Sequence, residues 1–174
     1  TNAGKIDIAC TSSSTATISA ALNSGGETDI QCGSISTTAG ISSGANVLLE
    51  STNTSTSASV RVSGDVISRV SGSLIRIKAA HDVAIQSVTI QTPGSSSPTV
   101  GGISLWADSD GNGAGRISTT TACINTIGTC SSPANSGGAQ IVFGGGVSAD
   151  VSGDFPTGSV KSSDAGVGIA FGSG

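Results

Sequence analysis

In the run Asp108-Ser-Asp-Gly-Asn-Gly113, the residues Asp108, Asp110 and Asn112 set oxygen donors at alternate positions, and the glycines allow the sharp turn found in the first half of a calcium loop. The bidentate glutamate expected at the twelfth position would be residue 119, which is Thr. The run therefore reads first as a polar corner. Asp108, Asp110 and Asn112 are kept as the calcium candidates, with Asp82, at i−28 from Asp110, as a further ligand. The three aspartates with Arg116 also form the one grouping that could act on a glycosidic bond or a sugar acid, chemistry that needs clustered carboxylates. The other acids are scattered along the chain. The sole histidine, His81 in Lys-Ala-Ala-His-Asp82, singles out no Ser/His/Asp triad and reads as a solvated corner residue. We assign no catalytic residue and no cofactor.

Trp106 is the only tryptophan, and it sits out of phase with the apolar Ile103 and Leu105. It is therefore expected to face outward as a contact for a sugar or a partner protein, unless an insertion at about 121–137 folds over it. Asn53-Thr-Ser55 matches a glycosylation sequon, a frequent chance event in a chain this rich in Ser and Thr.

The four cysteines lack the CxxC spacing of zinc sites and, in a chain this polar, read as two disulfides formed in an oxidising compartment. Lys5-Ile-Asp-Ile-Ala-Cys10 is similar to Glu27-Thr-Asp-Ile-Gln-Cys32 at i+22, so Cys10 and Cys32 are expected to bridge stacked turns. Unpaired thiols at these two positions are the other reading. Cys123 and Cys130 are expected to close an insertion of their own.

The elements that position these residues come from a repeat. Val47 and Leu49, Ile75 and Ile77, and Ile103 and Leu105 are apolar i, i+2 pairs, each at i+28 from the one before. A second series is read in Val60 and Val62, which recur at i+28 as Val88 and Ile90, with Ile117 a further 27 beyond Ile90. Ile141-Val-Phe-Gly144 returns at i+28 as Ile169-Ala-Phe-Gly172, and the step of 38 from Leu105 to Phe143 is one period plus an insertion. Alternation at i, i+2 is the pattern of a strand with one buried face, and clusters of Gly, Ser, Asn and Asp between the pairs supply turns.

One such turn cannot bury its own apolar face, whereas stacked turns make continuous inward ladders of Ile and Val, which are stiff and fill a pleated surface well. The expected fold is an all-β, right-handed parallel β-helix (a β-solenoid) with a period near 28 residues; about six coils at ~4.8 Å each make a rod ~30 Å long. The whole chain, 1–174, reads as one domain: shorter coils at 1–45, 28-residue coils at 46–120, the insertion at about 121–137, and final coils at 138–174. In this register Glu50, Lys78 and Trp106 share one outward position, Glu50 and Lys78 are expected to pair, and Asp82 and Asp110 share another position.

Composition narrows function. With 2% aromatic and 10% charged residues the surface must be Ser, Thr, Asn and Gly, and a net charge of −4 with only 7 Lys and Arg leaves no basic stripe for nucleic acid. No run approaches the ~20 apolar residues of a membrane helix, so membrane insertion is not expected. The start at Thr1 suits either a mature product or a piece of a larger chain.

The segment Leu74-Ile-Arg-Ile-Lys-Ala-Ala-His-Asp-Val-Ala-Ile-Gln-Ser-Val-Thr-Ile-Gln-Thr92, followed by Gly102-Ile-Ser-Leu-Trp-Ala-Asp-Ser-Asp-Gly-Asn-Gly-Ala-Gly-Arg-Ile-Ser118, resembles filamentous-haemagglutinin-like exoproteins, the bacterial adhesins of two-partner secretion. The likeness runs from about Val47 to Thr120 and again from Gly138 to Gly174. It implies a right-handed parallel β-helix, secretion to the cell surface, and a role in attachment or biofilm. The Asn-Pro-Asn-Gly type motif of that family's secretion domain does not occur, so this stretch is not the secretion signal.

The expected function is a secreted structural or adhesive β-solenoid, part of a cell-surface filament, binding a surface or matrix glycan or protein. Its last turn, ending Phe171-Gly-Ser-Gly174, lacks a polar cap, which suits end-to-end association or continuation of a longer polypeptide. A carbohydrate-binding or carbohydrate-processing β-helix is the alternative. An ice-binding solenoid is the third reading, although Thr does not recur at one position.

Overall fold

The computed structural model describes residues 4–55, 58–92, 102–110, 115–120 and 122–125, together with the strands at 128–129, 132–133, 140–145, 150–153 and 169–173. Every regular element among them is a β-strand, and three parallel sheets are built by chain segments that return to the same place on each circuit. Sheet A stacks β1 (Ile6–Ala9), β4 (Thr28–Cys32), β7 (Val47–Ser51), β10 (Leu74–Lys78), β13 (Gly102–Ala107), β18 (Gln140–Gly145) and β20 (Ile169–Ser173). Sheet B stacks β2 (Thr15–Ile18), β5 (Ser34–Thr37), β8 (Ser59–Val62), β11 (Asp82–Gln86), β14 (Arg116–Thr120) and β19 (Asp150–Gly153). Sheet C stacks β3 (Leu22–Ser24), β6 (Ile41–Ser43), β9 (Val66–Ser68), β12 (Thr89–Gln91) and β15 (Cys123–Asn125). A two-stranded antiparallel pair, β16 (Gly128–Thr129) and β17 (Ser132–Pro133), lies in the insertion. The fold is the parallel β-helix expected from the repeat.

Alternation along each strand sends every second residue into a shared interior. In sheet A, Ile30, Leu49, Ile77 and Leu105 follow one another in register and are fully buried, and the next in register are Phe143 and Phe171. Val47, Ile75 and Ile103 form the ladder beside them. Each such Ile or Leu contributes ~1.5–3 kcal/mol of burial, and stacking supplies neighbours that a lone circuit lacks.

The second series of the repeat needs correction. Val60 and Val62 lie in sheet B and pair with Val83 and Ile85, not with Val88 and Ile90. Ile90 belongs to sheet C, where it pairs with Val66 and Ile124. Ile117 pairs with Val83. The cause is variable corner length: the step of 28 holds in sheet A from Leu49 to Ile77 to Leu105, whereas Ile30 to Leu49 takes 19 and, in sheet B, Val60 to Val83 takes 23.

The variation is not spread evenly. The corner from sheet B to sheet C is residues 19–21, then 38–40, 63–65 and 87–88 on successive circuits. From A to B it is Gly33 alone after β4 but residues 52–58 after β7 and 108–115 after β13. From C back to A it is residues 44–46 after β6, 69–73 after β9 and 92–101 after β12. Among the described circuits, growth is therefore confined to the two edges of sheet A. At the tight corners backbones touch: a Cβ on Gly33 would overlap the Ser12 carbonyl, and one on Gly64 would overlap the Ala39 carbonyl.

Buried serines close the third corner. Ser24, Ser43 and Ser68 end successive sheet C strands in register and point inward. The Ser43 hydroxyl reaches the Gly26 carbonyl of the neighbouring circuit at 2.7 Å and the Asn46 carbonyl of its own at 3.1 Å, and it accepts the Ala45 N–H. Ser24 repeats this with the Gly4 and Glu27 carbonyls, and Ser68 donates to Ala45. Carbonyls that a turn would otherwise leave buried and unpaired are satisfied in this way.

Candidate functional site

The outer face of sheet A carries the side chains that the interior rejects, in two rows set by register. One row runs Asp7, Asp29, Leu48, Arg76 and Ser104; the other runs Gln31, Glu50, Lys78 and Trp106. Lys78 Nζ lies 2.7 Å from Glu50 Oε1, the pair expected from the repeat. Both side chains are about a third exposed or less, and an ion pair of this kind adds at most ~1 kcal/mol. It fixes where the ammonium sits more than it holds the fold.

Trp106 does face outward, beside Ser104 and against Lys78. Arg76, Lys78, Ser104 and Trp106 line a groove of about 310 Å³. The next two strands bring Gly144 and then Gly172 to the Trp106 position, so neither register neighbour on that side carries a side chain. A second groove of about 180 Å³ begins at Arg76 and runs toward β4, lined also by Glu27, Asp29 and Leu48. Its acids are engaged elsewhere: Glu27 accepts from Asn46 Nδ2 at 3.0 Å, and Asp29 accepts from Gln31 Nε2 at 3.2 Å and Lys5 Nζ at 3.4 Å. Lys5 also lies 3.3 Å from Asp7, and hydrogen bonding to Asp7 is the main cause that holds its ammonium above the ordinary lysine range. Among the described residues Arg76 forms no ion pair, which sets its guanidinium apart from the ammonium groups of Lys5 and Lys78 on this face.

The aspartates of the candidate calcium and sugar-acid sites take separate positions. Asp108 is fully buried with φ 50°, and its N–H donates to the His81 carbonyl at 3.1 Å. Asp110 is exposed on the turn, and Asn112 lies outside the described residues. Asp82 does not share a position with Asp110: it lies next in register to the start of β14, and its Oδ1 accepts the Arg116 N–H at 3.0 Å. The corner after β13, residues 108–115, is longer than the corner after β10, residues 79–81, and this moves Asp110 out of the ladder. His81 Nδ1 sits 3.2 Å from the same carboxylate oxygen. No cluster of three or more His, Cys, Asp or Glu side chains suited to a metal occurs among the described residues.

Cys10 and Cys32 form the expected bridge between adjacent circuits, with Cα atoms 4.5 Å apart. The expected Cys123–Cys130 bridge lies outside the described residues, although the Cys123 backbone pairs with Thr89 in sheet C. Asn53 sits on the enlarged A-to-B corner, where its Oδ1 accepts the Ser55 N–H at 2.9 Å. Sequence reasoning missed Arg76; the available signal was its place two residues before Lys78, on the same outward face. No family description, no curated protein and no solved structure matches this chain.

Proposed function

We propose that this protein is a secreted, non-catalytic, right-handed β-solenoid that serves as a segment or subunit of a bacterial cell-surface filament or adhesin, and that the outer face of sheet A is its contact surface. The observation that carries this reading is the confinement of corner growth to the two edges of that one face. Loops on a rigid scaffold are where binding function concentrates, and here the scaffold frames a polar strip with its one tryptophan and an arginine that forms no ion pair among the described residues. The right hand follows from the strong chirality preference of parallel crossover connections.

The Cys10–Cys32 bridge supports a non-reducing compartment. The likeness of residues 74–118 to filamentous-haemagglutinin-like exoproteins supports attachment or biofilm as the setting, with end-to-end association or continuation of the polypeptide building length. Asp108, fully buried, and Asp82, whose carboxylate accepts the Arg116 N–H, favour this reading over a carbohydrate-processing one. An ice-binding face would need a Thr ladder, whereas the outward row of sheet B reads Thr17, Ser36, Arg61, Ala84 and Ser118.

Electron microscopy of the purified protein, with incubation on acidic polysaccharides, tests the reading. It expects slender rods or filaments with a ~4.8 Å axial repeat and no turnover. Cleavage that disappears in Asp110→Ala would replace the scaffold with an enzyme.

A further inference from the structure

We infer that the groove formed by Arg76, Lys78, Ser104 and Trp106 is a subsite for an acidic polysaccharide, binding a pyranose ring that bears a carboxylate. The inference rests on the proposal that the outer face of sheet A is the contact surface, and it names the chemistry of what that surface holds.

Each part of the site suits one part of such a ring. Trp106 is half-buried and stands at a position where the following strands supply only Gly144 and Gly172, so the indole can take the apolar C–H face of a sugar. The indole N–H has no partner among the described residues, which leaves a donor for a ring hydroxyl. Arg76 is diagonal to Trp106, one strand away and two residues along, within the ~7–8 Å over which long side chains on a sheet face meet. Its planar fork matches a carboxylate with two parallel hydrogen bonds, and no acid among the described residues competes for it. Glu50 accepts one Lys78 N–H at 2.7 Å, and Lys78 and Ser104 both line the groove as further donors.

Charge selects the ligand. The chain carries net −4, so attraction for a carboxylate comes from the local cations Arg76 and Lys78 rather than from the field of the whole protein. An acidic peptide offers a carboxylate but no rigid apolar face for the indole. Strands spaced ~4.8 Å apart in a flat row let neighbouring sugars of an extended polymer lie along the sheet, from Trp106 over Arg76 toward the second groove.

The test uses the whole chain and its own reporter, since Trp106 is the single tryptophan and there is no tyrosine. Titration with oligogalacturonate is expected to give a saturable change in Trp106 emission. The change should vanish with the same oligosaccharide after its carboxyls are reduced to alcohols, and it should weaken in ~0.5 M salt, roughly threefold above the physiological ~0.15 M. Arg76→Ala should weaken binding at least ~10-fold, and Arg76→Lys should recover part of it. Circular dichroism on each variant checks the fold, and the comparison with carboxyl-reduced sugar needs no mutation at all. No emission change, an equal response to the reduced sugar, unaltered binding by Arg76→Ala, or equally tight binding of poly-glutamate would each overturn the inference. Rods that persist in the microscope while sugar binding is absent would sink the subsite alone; loss of the rods would sink the scaffold reading.

Discussion

Two corners of the same circuit behave differently. Between sheets B and C the chain turns in two or three residues at residues 19–21, 38–40, 63–65 and 87–88, and Gly64 packs there against the Ala39 backbone with no room for a side chain. Between sheets A and B the turn grows from Gly33 alone to residues 52–58. The ladders on either side do not notice, since Leu49 still stands over Ile30 and Val60 over Ile35. Strand register is thus fixed by inward packing and by hydrogen bonds between circuits, while extra length is absorbed at the corners that flank sheet A. The tight corner is structural, and the loose corners are free to take on function at the rims of sheet A.

The strongest challenge to this division falls on a ladder. Ile77→Ala removes a fully buried side chain with ladder neighbours on both sides, and a loss of ~2–5 kcal/mol in denaturant unfolding is expected. A loss below ~1 kcal/mol would mean that the interior is not continuously packed.

Next come paired insertions. Five Gly/Ser residues placed between Thr54 and Ser55, on the loose corner, should cost no more than the ~0.6 kcal/mol of a lengthened loop. The same five placed beside Gly64 should cost several times more, because they displace the Ala39 contact and the Ile41 N–H bond to the Asp65 carbonyl at 2.7 Å. Equal costs, read as equal shifts in unfolding midpoint, would erase the distinction between the corners.

Ser43→Ala probes the C-to-A corner. It removes a hydroxyl shared between the Gly26 and Asn46 carbonyls, and ~1–3 kcal/mol of destabilisation should appear in the same unfolding assay. The smallest effect has the opposite sign. The Thr37 hydroxyl is buried in the ladder between Ile18 and Val62 with no hydrogen-bond partner among the described residues, so Thr37→Val should raise stability by ~1 kcal/mol.

The ladders of sheet A were legible in the sequence because apolar pairs at i, i+2 recur there at a constant step of 28 from Val47 to Leu105. Sheets B and C were not separable on that basis. Their strands carry the same kind of pair, so Val60 and Val62 matched Val88 and Ile90 by spacing, although corner lengths put Val83 and Ile85 over them. Composition hid the serine staples too: Ser24, Ser43 and Ser68 look like surface residues in a Ser-rich chain, and only their place at the end of each sheet C strand distinguishes them. The outward direction of Trp106 followed from phase alone. The groove around it did not, because it depends on glycine at the next register positions and on which acids are already engaged.

Whether corners set the spacing while strands keep register can be read from disulfide trapping in sheet B. Arg61 and Ala84 are register partners at i and i+23, whereas Thr89 stands at i+28 from Arg61, the step that sheet A keeps. With Arg61→Cys fixed, mild oxidation and peptide mapping should find a 61–84 bridge in the Ala84→Cys partner variant and no 61–89 bridge in the Thr89→Cys variant, where Cys123 is the register neighbour of residue 89. Bridging to residue 89 in preference to residue 84 would contradict the stacking described above.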